Sequence, residues 1–292
     1  MTKISDNDLA ATSSARPRLT AAGRPATVTV DATNEQGEVV PTRIPGERPL
    51  TLYLDKREIV TLMTLGAEPE ALVLGYLRNQ RLVSKLEDIA AVQVDWETDS
   101  VAVTTRHGGA DVDARMERRT VTSGCGQGTM FGDLMEDLER IAVPGDGRLD
   151  SATLYALLDN VRRRESIYKE AGAVHACALA DANGEILMFV EDVGRHNAAD
   201  AIAGRMWLQD MPGGDKLFYT TGRLTSEMVI KTAQMGIPFL ISRSGLTEMG
   251  HAIARKIGLA LVGRATGKHY LLFTGQDRFT RGDAPTESRS AD

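Results

Sequence analysis

The sequence predicts an α/β protein in two parts: a smaller α+β N-terminal domain and then a three-layer α/β sandwich. Three observations carry this. From about residue 216 to 262, short apolar runs alternate with amphipathic stretches of about ten residues, the pattern of strands joined by crossover helices. Before residue 122, short period-two patterns surround a single helical one. Between these regions Gly145–Leu149 (GDGRL) is rich in turn residues and reads as a joint.

Residues 1–22 are polar, rich in Ser, Thr and Ala and without period, so they read as a disordered tail. Residues 284–292 read the same way. The N-terminal domain is then expected over 23–147 and the C-terminal domain over 148–283. Ala26–Val30 and Leu50–Leu54 place apolar residues at alternate positions, as strands do. Over Glu68–Asn79, the residues Ala71, Leu72, Leu74, Tyr76 and Leu77 form the apolar face of a helix with Pro69 in its first turn. Ile89–Val94 and Val101–Thr105 read as a strand pair.

Asp150 or Ser151 can cap a helix running to about Tyr168. Leu154, Leu157, Leu158 and Val161 line its inner face, and Gly172 closes it. Val174–Ala180 and Glu185–Val190 flank Asn183-Gly184, a pair suited to a hairpin turn. Helices over Ala198–Leu208, Ser226–Met235 and Leu246–Ile257 then alternate with strands over Lys216–Thr220, Pro238–Ser242 and Leu259–Val262. A last strand covers Tyr270–Phe273. That order predicts a largely parallel sheet with helices on both faces.

The composition is globular: 292 residues, 42% apolar and 25% charged. A net charge of −6 argues against a general affinity for nucleic-acid backbone, which needs a basic face. Two cysteines cannot build a disulfide framework, and no signal peptide opens the chain. No apolar run is long enough for a transmembrane helix. The expectation is a reduced, soluble, cytoplasmic protein.

Thr122–Thr129 (TSGCGQGT) holds Cys125 between two glycines, which carry no side chains to shield the sulfur. Such a loop can expose a thiol and lower its pKa through backbone amides; the plainer reading is a linker with an incidental cysteine. Cys177 lies in a strand pattern and reads as a small buried hydrophobe. His175, at the start of that strand, is either a ligand contact or a structural histidine. Zinc finds little support. His175-Ala176-Cys177 has Cys where a deaminase H-x-E needs Glu, and no P-C-x-x-C follows. Arg162-Arg163-Arg164 reads as a solvated helix face. Phosphate-loop, dinucleotide-loop and G-x-S-x-G signatures are absent.

Three strand-to-helix junctions each carry one Arg and one Gly: Asp192–Asn197 (DVGRHN), Thr220–Thr225 (TTGRLT) and Ser242–Thr247 (SRSGLT). Asn197, Thr225 and Thr247 can cap the helices that follow. Helix N-termini offer free amides to anions, and arginine adds a two-pronged donor. Three such junctions point to a ligand with phosphates or several anionic groups; taken singly, each is ordinary capping.

The strings Thr122–Thr129, Gly172–Ala180 (GAVHACALA), Val190–Ala199 (VEDVGRHNAA), Tyr219–Ile230 (YTTGRLTSEMVI), Ile237–Leu246 (IPFLISRSGL) and Leu261–Arg264 (LVGR) together resemble the FdhD/NarQ family of formate dehydrogenase accessory proteins. Arg48–Thr51 and Glu70–Leu77 resemble its N-terminal signatures. The resemblance spans about residues 45–280. It implies a cytidine-deaminase-like second domain without zinc. It also implies a sulfurtransferase that takes sulfane sulfur from a cysteine desulfurase as a persulfide. The sulfur then goes to the bis(molybdopterin guanine dinucleotide) molybdenum cofactor, for formate dehydrogenase apoenzyme.

In that resemblance Cys125 is the persulfide carrier. Many members carry C-x-x-C here; Gly128 holds the second position in this chain, which implies a one-cysteine carrier. Arg195, Arg223 and Arg243 would hold pyrophosphate, with His175, Asp192 and Asn197 bonding a guanine or pterin edge. Gly194, His196, Thr221, Gly222, Ser242 and Ser244 complete that expected surface, which could equally accept GDP or GMP. Phe273-Thr274-Gly275-Gln276-Asp277-Arg278 would supply a further cofactor contact. A ligand with two guanine ends makes a two-fold homodimer an expectation. The competing readings are a non-catalytic cofactor-binding chaperone and a zinc-dependent nucleoside deaminase.

Overall fold

The computed structural model describes residues 16–107, 120–121, 128–129, 141 and 143–282. The first part contains β1 (Arg18–Leu19), β2 (Thr27–Thr33), β3 (Val39–Pro45), β4 (Arg48–Leu54), β5 (Arg57–Thr64), α1 (Pro69–Asn79), β6 (Ile89–Asp95) and β7 (Ser100–Thr105). Five of these strands form one sheet in the order β1-β6-β7-β4-β5. Leu50, Leu52, Leu54, Val101 and Val103 alternate into its core, so period two fixes which face is buried. Among the described residues β2 and β3 pair only with each other.

β3 and β5 carry weaker patterns than the strands read from the sequence. β3 contains Pro41 and Pro45, which suit an edge ribbon rather than a covered sheet. Residues 16–22, read as tail, are held in place. β1 pairs in parallel with β6, Thr20 Oγ1 donates to Val92 O at 3.0 Å, and Ala22 N donates to Glu70 Oε1 at 2.8 Å.

Two short backbone segments, β8 (Thr120–Val121) and β9 (Gly128–Thr129), pair antiparallel. The second part contains β10 (Leu149–Asp150), α2 (Ser151–Arg163), α3 (Ile167–Ala171), β11 (His175–Ala180), β12 (Ile186–Asp192), α4 (Arg195–Leu208), β13 (Leu217–Thr220) and α5 (Ser226–Gln234). It continues with β14 (Phe239–Ser242), α6 (Glu248–Ile257), β15 (Ala260–Thr266), β16 (His269–Thr274) and β17 (Phe279–Thr280). Asp150 caps α2 by accepting from Thr153 N at 2.7 Å. The single helix expected to run to Tyr168 is broken at Arg164, whose backbone is extended. Ser166 caps a new helix there, and both oxygens of Glu191 accept the first free amides of α3.

The main sheet has six strands in the order β12-β11-β13-β14-β15-β16. It is mixed, not largely parallel: only β13–β14 and β14–β15 run parallel. The helix pattern anticipated those crossovers, but tight connections make β11–β12 and β15–β16 antiparallel. The first of these turns is four residues, Asp181–Gly184. Asp181 Oδ1 accepts the amides of Asn183 and Glu185, and Gly184 takes φ +83°.

Alternate sheet residues enter two cores. Cys177, Leu179, Phe218 and Leu240 face α4, α5 and α6. Ala178, Tyr219, Phe239 and Ile241 face α2, with its Leu154, Leu157 and Leu158. The first core continues without a break into the N-terminal sheet. It does so through the crossing of α1 and α4, where two glycines meet. A Cβ on Gly75 would lie 1.7 Å from Asp200 O, and one on Gly204 would lie 1.9 Å from Ala71 O. Neither backbone can retreat without parting the helices. Gly75→Ala should therefore cost about 1–3 kcal/mol or more, read as a lower urea midpoint. An unchanged midpoint would show that the crossing is slack.

Candidate functional site

Antiparallel and parallel registers bring four strand ends to one edge of the main sheet. His175 at the start of β11 lies opposite Asp192 at the end of β12. Cys177 lies opposite Thr220 at the end of β13, and Thr220 opposite Ser242 at the end of β14. The loops leaving this edge are the three junctions singled out in the sequence, and they are stitched together. Thr221 Oγ1 accepts Ala176 N at 3.0 Å and lies 3.2 Å from His175 Nδ1. Ser242 Oγ donates to Gly222 O at 2.6 Å and accepts from Ser244 N at 2.9 Å. Leu224 N donates to Gly245 O at 3.0 Å, and Thr247 N to Leu224 O at 3.1 Å.

Three guanidinium groups, one per loop, lie near enough to His175 to act on its charge. Burial first, and then the charges of Arg195, Arg243 and Arg223, hold its pKa below the usual histidine value. His175 is therefore neutral near pH 7. Gly222 is required beside Arg195, because a Cβ there would lie 2.3 Å from Arg195 Cδ. Arg223 and Arg243 are exposed. Arg243 stacks over the Tyr168 ring at 5.2 Å, at a cavity of about 750 Å³ lined by residues that include Phe189, Glu191, Tyr219 and Thr221. Burial pushes the Tyr219 phenol up to about 12. The edge thus joins a cationic rim to an aromatic hollow, an arrangement suited to an anionic ligand with a flat ring.

Not every expected contact faces that rim. Asp192 is buried, and its carboxylate is shared between the N-terminal part of the chain and its own loop. It accepts Thr64 Oγ1 at 2.6 Å, Leu65 N at 3.1 Å and Asn197 Nδ2 at 2.8 Å. Burial raises its pKa, although these bonds oppose the shift. Asn197 does not cap α4. Gly194 holds that position, and Asn197 instead donates to Met63 O at 2.6 Å. Thr247 caps α6 as expected, while Thr225 begins α5 without a side-chain capping bond. His196 is buried beside Glu227.

Phe273–Arg278 lies at the opposite edge. Thr274 pairs with Leu261, level with Leu240 of β14, about 7 Å along the strands from Ser242. Thr274 Oγ1 accepts Leu261 N at 2.8 Å and donates to Leu259 O at 2.6 Å. Arg278 donates to Pro144 O at 3.0 Å and to Gly258 O, with its guanidinium over Phe239. Gly275, Gln276 and Asp277, with Phe273, line a separate cavity of about 420 Å³. Sequence reasoning overlooked Glu227 and Lys231, which lie one helical turn apart on α5 and are both buried. Their spacing was the available signal.

The two cysteines differ. Cys125 lies outside the described residues, in the sequence between β8 and β9. Cys177 is fully buried, its Sγ 3.4 Å from Thr220 Oγ1, and burial pushes its thiol up to about 12. Among the described residues no three His, Cys, Asp or Glu side chains gather as a metal-binding set. No helix among them is long and apolar enough to cross a membrane.

The profile of the FdhD/NarQ family matches residues 45–280. This chain belongs to the FdhD/NarQ family. It is 30% identical over 236 residues to the sulfur carrier protein FdhD of Listeria monocytogenes serotype 4b, covering 80% of this chain and 90% of that one. It is 28% identical over 246 residues to the sulfur carrier protein FdhD of Bacillus subtilis, covering 84% and 94%. A crystal structure described as that of a formate dehydrogenase accessory protein from Desulfotalea psychrophila superposes with a TM-score of 0.70. Its sequence is 26% identical, and the match covers 88% of this chain and all of that one. The α/β architecture of this FdhD/NarQ member is thus shared along most of its length. In native FdhD/NarQ protein, Cys177 should resist iodoacetamide at pH 8 and react only after unfolding in urea, as peptide mass mapping would show. Native labelling of Cys177 would refute its burial.

Proposed function

We propose that this chain is a sulfur carrier and sulfurtransferase for formate dehydrogenase maturation. In this reading Cys125 is the carrier atom and the molybdenum cofactor is the substrate. The observation that carries it is the convergence of Arg195, Arg223 and Arg243 around a neutral His175 at one sheet edge. The cysteine chemistry supports it by elimination. Of the two cysteines, Cys177 is sealed in the core with a thiol that does not ionise near neutral pH. Only Cys125 is left to carry sulfur. The mixed six-stranded sheet, with helices against both faces, supports the deaminase-like fold that the resemblance implies.

The chemistry balances. The Cys125 thiolate attacks the outer sulfur of a persulfide on a cysteine desulfurase. The donor's sulfur–sulfur bond breaks and its thiolate departs, leaving a persulfide on Cys125. The sulfur–sulfur bond on Cys125 then breaks and Cys125 returns to the thiolate; the outer sulfur, at the zero-valent level, would be taken up by a reduced molybdenum of the substrate, whose two electrons turn it into a sulfido ligand. The three arginines and the first amides of α4 and α5 hold the guanine nucleotide arms by their pyrophosphates. Neutral His175 contributes hydrogen bonding without adding charge.

Gly128 stands where many relatives of this family carry a second cysteine. That favours one competing reading, a chaperone that binds cofactor without carrying sulfur. One experiment separates them. After incubation with desulfurase and cysteine, Cys125 should gain about 32 Da, and Cys125→Ala should abolish formate dehydrogenase activation. Activation that survives Cys125→Ala would leave the chaperone standing. At fixed salt, Arg223→Ala and Arg243→Ala should each weaken GDP binding by about 1.5–3 kcal/mol, the worth of a charge-assisted bond. Unchanged GDP titrations in calorimetry would remove the edge from the ligand site.

A further inference from the structure

Beneath the edge, the first turns of α4 and α5 enclose a knot of buried polar groups that sulfur transfer does not use. His196 is the second residue of α4 and Glu227 the second of α5. His196 is 2% exposed, and neither ring nitrogen has a hydrogen-bond partner. Glu227 Oε1 and Thr225 Oγ1, beside it, also lack hydrogen bonds. His196 Nε2 lies 3.5 Å from Glu227 Oε2, too far for a good hydrogen bond but close enough for an ion pair. Glu227 stands 4.0 Å from Lys231 Nζ, and Lys231 pairs with Asp200 at 2.6 Å. A buried imidazole that bonds to nothing is costly, and a carboxylate is already in place for its charged form.

In the free protein the imidazole stays neutral. Burial comes first, followed by the repulsion of Lys231, Arg195, His175 and Arg223, which holds its pKa well below the usual value. Glu227 faces the ring from α5, its own pKa raised by burial against the pull of Lys231, and Asp200 of α4 pairs with Lys231. Two of the repelling charges, Arg195 and Arg223, are those assigned above to the ligand's phosphates. A polyanion bound there cancels their field at His196 and leaves the attraction of Glu227 in place.

We propose that His196 is a proton-coupled positioning residue. When a polyanionic ligand binds Arg195 and Arg223, a proton from solvent moves onto His196, which pairs with Glu227 as imidazolium and carboxylate. The inference rests on the edge being the ligand site. The pair then pins the first turns of α4 and α5 to each other, and with them Arg195. The bound state holds one more proton than the free state. Affinity therefore rises as pH falls through the range where His196 titrates in the complex, by up to about tenfold per pH unit.

The test is calorimetric titration of the full chain with diguanosine pyrophosphate, whose phosphates neither gain nor lose protons near neutral pH. It is run at fixed salt near pH 6 in two buffers of different ionisation enthalpy. Wild-type protein should take up most of one proton per ligand bound. His196→Asn should bind with little proton uptake and a flat pH dependence. Glu227→Gln should reduce the uptake, and His175→Asn should bind more weakly yet keep it. Absence of uptake by wild-type protein overturns the coupling even if His196→Asn does not fold. Uptake that persists in His196→Asn overturns it as well, because another group then takes the proton. A failure of the probe to bind overturns the edge as a ligand site and this coupling together.

Discussion

The crossing of α1 and α4 is the constraint from which the site geometry follows. Gly75 and Gly204 let the two backbones touch, which no side chain at either position would permit. At that contact Asp200 takes Asn79 Nδ2 at 2.7 Å on one oxygen and Lys231 Nζ at 2.6 Å on the other. A carboxylate buried this deeply is tolerated only when it is fully bonded, and burial still raises its pKa. Asp200 thereby joins α1, α4 and α5 at one point. One turn earlier, α4 presents Arg195 and His196 to the edge.

A second set of bonds holds the same end of α4. Asp192 and Asn197 clasp the backbone of Met63 and Leu65 and the side chain of Thr64. The N-terminal sheet is therefore a support for the cationic loops, because the residues that enter and leave Gly194 are tied to it. Charge repulsion among Arg195, Arg223 and Arg243 would spread these loops if they were free. The Ser242–Gly222 and Leu224–Gly245 bonds oppose that spreading. Cations held close before a ligand arrives need little reorganisation when it binds.

The same physics separates the two thiols. Cys177 belongs to a strand whose alternate residues fill the first core, and a buried sulfur beside Thr220 neither ionises readily nor meets a partner protein. Its neighbour two residues earlier, His175, reaches the sheet edge and enters the cationic site. A shift of two positions along one strand therefore divides packing from chemistry.

The sequence by itself determined much of this protein. Periodicity located α1, α4, α5, α6 and the strands between them, because burial of one face leaves a local trace. The repeated Gly–Arg junctions could be read as strand-to-helix loops that each carry a cation, because helix starts and glycine turns are also local. Tertiary structure decided the rest. It turned Asp192 and Asn197 inward as ties and moved Phe273–Arg278 to the far edge. It also broke the helix after Arg163, through the carboxylate of Glu191. And it brought His196 to Glu227, 31 residues further along the chain but 3.5 Å away in space. Side-chain partners and strand direction depend on which distant segment lies alongside, and no local pattern encodes that choice.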